Sequence, residues 1–186
     1  MEEDQQKLAE NQDFTSRFGA VTQQLGHEVA AVRLAGVVAL AQLADEFEIN
    51  RQMCIDGLCA YIRMPYDPKA SSIKEGEKEV RLSIISEIVK RLQKDASPSW
   101  SEFNFDFSGA TFDGGNFSGA QFSGGEVNFY EAQFSGGVVN FSEIIIEQPT
   151  TIDLHSAVGK IEVVMLPNPL PPNLTQLSQK SPIVLA

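Results

Sequence analysis

Between Glu2 and Leu25 the apolar side chains Leu8, Phe14, Phe18, Val21 and Leu25 return mostly in steps of three and four, behind an acidic start and without proline. That spacing predicts one amphipathic helix ending near Gly26. The next stretch, Val29 to Ala44, is alanine-rich and apolar around most of its circumference, the pattern of a helix wrapped by its neighbours. A third helix is expected from about Asn50 to Met64, with Cys54, Leu58, Tyr61 and Ile62 on one stripe and Pro65 and Pro68 to stop it. After a loop, Val80, Ile84, Ile85, Ile88 and Leu92 line one face of a fourth helix, about Glu75 to Lys94, whose Lys78, Arg81, Glu87, Lys90 and Lys94 are expected to stay wet. Together these describe a four-helix bundle or two stacked helical hairpins over residues 1–98.

After Trp100 the chain changes character: no Lys or Arg occurs between Lys94 and Lys160, and Phe, Gly, Ser and Ala take over. Phe107, Phe112, Phe117, Phe122, Phe129, Phe134 and Phe141 follow one another in steps of 5, 5, 5, 7, 5 and 7. An odd step sends successive side chains to opposite faces of a strand, and a step of five rotates them about 140° around an α-helix. Neither element buries all seven. A chain that turns a corner within each step does, because every corner swings the next ring back toward a common axis. Two positions earlier stand Phe105, Ala110, Gly115, Ala120, Val127, Ala132 and Val139, small or apolar and pointing the same way. The extra Glu126-Val127 and Val138-Val139 add two residues each and so preserve which side chains point inward.

The units Phe107-Ser-Gly-Ala-Thr, Phe112-Asp-Gly-Gly-Asn, Phe117-Ser-Gly-Ala-Gln and Phe122-Ser-Gly-Gly resemble the pentapeptide-repeat family, with Ala two positions before a central Phe and Asn or Asp directly before it. The longer unit from Ala120 to Phe129, repeated from Ala132 to Phe141, is similar to a bacterial subgroup, as are Val32-Arg-Leu-Ala-Gly, Cys59-Ala-Tyr-Ile-Arg-Met-Pro65 and Ser99-Trp100 upstream. The resemblance implies an α+β chain in which the helical bundle caps a short, right-handed, quadrilateral β-helix over residues 99–147. Trp100, Phe103 and Phe105 are expected to join the two. Past Ser142 the unit gives way to Glu143-Ile-Ile-Ile-Glu-Gln-Pro149 without further phenylalanine, so the repeat is expected to end after fewer than two turns, about 10 Å of stacked strands. Residues 148–186 then read as two atypical capping strands and an extended, mobile tail containing Leu166-Pro-Asn-Pro-Leu-Pro-Pro172.

Charge and chemistry narrow the function. With 25 acidic and 14 basic side chains the net charge is −11, which opposes binding to phosphate backbones and anionic lipid, and no apolar run approaches the roughly 20 residues a bilayer demands. The acidic N-terminus lacks an export signal, and Cys54 and Cys59 point apart on their helix as free thiols, so a cytoplasmic setting is expected. Asp153 and His155 share a strand face without a third partner, and no nucleophile elbow, dinucleotide loop or metal-ligand spacing is present. No catalytic residue, cofactor or metal is therefore assigned.

What stands out is acidity: Glu102, Asp106, Asp113, Glu126, Glu131, Glu143 and Glu147 give residues 101–147 a charge of −7 without a single base. Asp106, Asp113, Glu126, Glu131 and Glu143 are taken as a candidate interaction surface, although acids also keep a glycine-rich coil soluble. The expected function is a non-catalytic interaction or scaffold protein with another protein as partner, no direct nucleic-acid contact and no membrane insertion. An exposed strand edge leaves a homodimer open. The alternative is mimicry of DNA toward an enzyme such as gyrase, a role the resemblance suggests and the short coil disfavours. A third reading is a shortened repeat with impaired stability.

Overall fold

Gly36 sets the first packing contact. A Cβ there would lie 3.0 Å from Gln24 Cβ and from the Leu25 backbone nitrogen, so only a residue without a side chain lets α1 (Glu2–Leu25) and α2 (Ala30–Glu46) approach this closely. This is a computed structural model, and it describes residues 1–147, 149–161 and 183–185. A 3-10 turn, Glu48–Asn50, leads into α3 (Arg51–Arg63), and α4 is Glu77–Arg91. α2 is central, touching α1, α3 and α4.

Buried arginines finish the helix ends. Arg33, fully buried, donates to the carbonyls of His27, Glu28 and Glu75 at 2.9, 2.7 and 2.6 Å. Arg81 donates to the Ile62 and Met64 carbonyls, both at 2.8 Å, closing α3 where Pro65 stops it. Arg81 was expected on the wet face; it is 5% exposed instead, because the last carbonyls of α3 need donors that the helix cannot supply. α4 ends three residues before the expected Lys94 for a related reason: the Arg91 carbonyl accepts from Trp100 N–H at 3.0 Å and the Leu92 carbonyl from Gln121 N–H at 2.7 Å, so the coil takes the acceptors a longer helix would have used.

The coil begins at β1 (Phe105–Asp106) and continues through β2 (Thr111–Phe112), β3 (Gly115–Asn116), β4 (Gln121–Phe122), β5 (Glu126–Asn128), β6 (Gln133–Phe134), β7 (Val139–Asn140), β8 (Ile145–Ile146), β9 (Thr151–Asp153) and β10 (Val158–Ile161). Each strand pairs in parallel with the strand four places on, giving four faces: β1-β5-β9, β2-β6-β10, β3-β7 and β4-β8. β11 (Ile183–Leu185) adds a further parallel strand beside β10. Corresponding positions are 22 residues apart at Phe105 and Val127, 24 at Gly115 and Val139, and 25 at Val127 and Ile152.

All seven phenylalanines point inward and none exceeds 8% exposure. They form columns: Phe107 on Phe129 (ring centroids 5.0 Å apart), Phe112 on Phe134 (5.3 Å) and Phe117 on Phe141 (4.9 Å), with interplanar angles of 27°, 15° and 8°. Between columns the rings meet edge to face, as Phe107 with Phe112 and Phe117 at 5.8 and 6.0 Å. Offset stacks along the axis and T-contacts across it are the two arrangements the ring quadrupole favours.

The coil does not end at Ser142. Ile146 pairs in register with Phe122, Ile152 with Val127, and Asp153 with Asn128, which sets Leu154 next in line above Phe129. Aliphatic side chains take over the inner positions, with Ile144 and Ile152 at 5% and 7% exposure, and ten strands at four to a turn make two and a half turns instead of fewer than two. β9 and β10, expected as capping strands, are ordinary further rungs. The Pro-rich segment 166–172 lies outside the described residues, and of the tail expected to be mobile, Ile183–Leu185 is a paired strand.

Candidate interaction surface

The outward positions of the coil are organised by its corners, and the corners are of two kinds. In the first, an Asp or Asn directly before the inner residue accepts the backbone N–H two positions on: Ser108 to Asp106 (3.0 Å), Ser118 to Asn116 (3.0 Å), Tyr130 to Asn128 (2.8 Å), Ser142 to Asn140 (2.8 Å) and His155 to Asp153 (2.7 Å). The next residue is left-handed in every case: Gly109, Gly119, Glu131, Glu143 and Ser156 have φ of 66°, 70°, 57°, 58° and 59°. Ala110, Ala120, Ala132 and Ala157 close the turn onto the carbonyls of Phe107, Phe117, Phe129 and Leu154 at 2.9–3.1 Å. An Asx side chain plus a positive φ at the third turn residue makes a tight four-residue turn. The alternate corners carry Gly114-Gly115, Gly124-Gly125 and Gly136-Gly137, and, before β9, the hydrogen bond from Thr150 N–H to the Glu147 carbonyl. Every change of step length falls at these, including an even step of eight from Ile146 to Leu154 that the all-odd rule did not foresee.

This geometry distributes the five candidate acids. Asp106 lies on the first rung against α3 and forms an ion pair with Arg63, and Asp113 pairs with Lys78 of α4 at 3.0 Å with its side chain 14% exposed. Their partners lie 43 and 35 positions back in the chain, in the helical half, where no local pattern in the coil could announce them. Glu126, Glu131 and Glu143 are exposed. Glu126 opens β5, Glu131 sits at the corner between β5 and β6, and Glu143 at the corner between β7 and β8, which is diagonally opposite. The acids therefore ring the coil and do not share one face. Asp153 and His155 do come together, but as an Asx turn, with the His155 ring stacked on Tyr130 at 5.9 Å.

The junction with the helices is built on Asp45. Arg91 Nε donates to both its carboxylate oxygens at 2.8 Å, Trp100 Nε1 donates to Oδ1 at 3.0 Å, and the Arg91 guanidinium lies 4.9 Å from the Trp100 ring centroid. Trp100 and Phe105 are fully buried, and Phe105 meets Phe122 edge-on at 5.8 Å. Bundle and coil share one continuous core. Within the helices a cavity of about 450 Å³ opens beside Tyr61, Met64, Tyr66 and Glu77. Burial, helped by the charge of Glu77, pushes the Tyr61 hydroxyl up to about 12, and the hydroxyl donates to that carboxylate at 2.9 Å. Burial likewise pushes the Cys54 thiol up to about 12 and Cys59 further, so both are poor nucleophiles. None of the described helices is long and apolar enough to cross a membrane.

Residues 104–145, a span that begins just before β1 and ends on β8, match the family described as pentapeptide repeats (9 copies). No curated protein and no solved structure matches the chain.

Proposed function

Starting from a chain whose residues 104–145 match the pentapeptide-repeat family, we propose that it is a non-catalytic protein–protein interaction or scaffold protein acting in the cytoplasm. The observation that carries this reading is the division of labour in the coil. Apart from Gly115, the inner positions are filled by packed aromatic or aliphatic groups, and Asp106, Asn116, Asn128, Asn140 and Asp153 are spent on turn hydrogen bonds, leaving Glu126, Glu131 and Glu143 exposed on the outside. Rigid repeat exteriors suit recognition because little ordering entropy is lost on contact. Unpaired, buried thiols fit a reducing compartment.

The DNA-mimic alternative draws less support. Two of the five acids are neutralised by Arg63 and Lys78, and of the other three Glu126 opens β5 while Glu131 and Glu143 lie at diagonally opposite corners, so the five do not line up as one anionic stripe. Affinity capture from native extract with the full chain as bait tests the main reading. A specific partner should be recovered, and substituting Glu126, Glu131 and Glu143 by Lys should weaken its capture if the coil is the contact. Turnover of any substrate by the purified chain, with no partner above background, would overturn it. Inhibition of gyrase supercoiling by stoichiometric protein would favour the alternative.

A further inference from the structure

No side chain in the first half of α1 makes a hydrogen bond or ion pair outside that helix among the described residues. Every residue from Met1 to Asp13 is exposed, and the helix first engages the bundle at Phe14, whose ring meets Phe18 and Phe47 at 5.4 Å each. Just behind it Arg17 clamps the helix down, donating to both Glu46 carboxylate oxygens at 2.8 and 2.6 Å with its guanidinium 5.3 Å from the Phe47 centroid. Beyond that clamp Glu2 to Asp13 forms an arm of about 18 Å, a length at which an isolated helix is marginal in water.

Beside the arm lies an open groove of about 620 Å³, with Ala9, Glu10 and Asp13 on one wall and Phe47, Glu48 and Ile49 on the other. The 3-10 turn holds Ile49 outward at 96% exposure, and Leu8 and Met53 nearby in sequence are 58% and 50% exposed. Asp13 is engaged by Arg17, whereas Glu10 and Glu48 enter no ion pair among the described residues, and the arm itself carries Glu2, Glu3 and Asp4 against a single Lys7. A groove in which apolar Ala9, Phe47 and Ile49 alternate with acids, two of them, Glu10 and Glu48, outside any ion pair among the described residues, and which runs alongside an exposed helix, is complementary to a helix with one apolar and one basic face. A second copy of this chain would bring the same acids into contact and is disfavoured by charge.

We propose that this groove docks a basic amphipathic helix of a partner protein, seating its apolar residues on Ala9, Phe47 and Ile49 and its Lys or Arg side chains against Glu10, Glu48 and the arm. The proposal deepens the interaction reading above and rests on it for its biological sense, while the binding itself is tested separately. The probe is a synthetic amphipathic Lys/Leu helix of about 18 residues, with its Glu/Leu counterpart as control, titrated into the full chain by fluorescence anisotropy alongside hydrogen exchange. The Lys/Leu peptide should bind, the Glu/Leu peptide should not, and the amides of Glu2 to Asp13 should gain protection only on binding.

Ile49→Asp, and Glu10→Lys combined with Glu48→Lys, should each weaken binding about tenfold or more. All three positions are exposed, so melting temperature should hold. The triple Lys substitution at Glu126, Glu131 and Glu143 controls for bulk charge; if it weakens binding as much as the groove variants do, the proposal falls. Absence of peptide binding overturns it too, as does a dimer abolished by Ile49→Asp, which would give the groove to a second copy. Capture of a native partner that survives the groove variants but not the coil variants would leave the interaction reading standing and remove the groove.

Discussion

Three of the coil's left-handed corner positions are occupied by residues with a side chain. Gly109 and Gly119 adopt positive φ at little steric cost, but Glu131, Glu143 and Ser156 hold the same conformation against a penalty of about 1–2 kcal/mol each. Glu131→Gly should therefore stabilise the protein by about 0.5–1 kcal/mol, less than the full strain because glycine also loosens the unfolded chain. Urea denaturation checks it, and unchanged or reduced stability would show that the side chain offsets its own strain. The sequence had marked Glu131 and Glu143 as surface acids; that they also bend the chain is visible only once the turn hydrogen bonds are. The two cysteines were legible as free thiols, and the structure buries both. Cys54 and Cys59 ionise at higher pH in the folded chain than in the unfolded one, so their contribution to stability is complete below pH about 9 and is lost as pH climbs toward 12. At neutral pH neither should react with a thiol reagent until the chain is denatured, and rapid labelling of the native protein would contradict this.

Among the elements, the phenylalanine columns were the most readable, because the alternation of strand side chains plus a corner leaves one solution for seven odd steps. The reading failed where the ring gave way to aliphatics. Asp153-Leu154-His155-Ser156 builds the same corner as Asn140-Phe141-Ser142-Glu143, and matching the Asx residue instead of the phenylalanine would have carried the coil past Ser142. Arg81 and the early end of α4 were hidden for another reason, since both depend on carbonyls supplied or claimed by distant segments. Phe117 touches Phe107, Phe112, Phe129 and Phe141, so Phe117→Ala should cost about 3–5 kcal/mol in denaturant-measured stability. Asp45→Asn removes the carboxylate shared by Arg91 and Trp100 and should cost about 1–3 kcal/mol, a loss that calorimetry would register.

At the scale of the molecule, bundle and coil were legible as separate compositions, and Trp100, between them, is fully buried. What composition could not convey is their dependence on each other. The first rung rests on α3 and α4, with Ile85 Cδ1 only 2.9 Å from where a Gly115 side chain would begin, and the two cores are continuous. A chain lacking residues 1–98 would expose Phe105, Phe107 and the underside of every column to water. It should show no cooperative thermal transition and no protected coil amides in hydrogen exchange; a sharp melt would prove the coil self-sufficient.

The two kinds of corner divide tolerance along the perimeter. Where Asx side chains close the turn, the count between inner residues is always five; at the intervening corners it is five, seven or eight, and the register above is undisturbed. One diagonal of the square is thus a fixed hinge line and the other a free seam, along which length and sequence can drift, or a foreign peptide be spliced, without the rungs on either side losing their alignment.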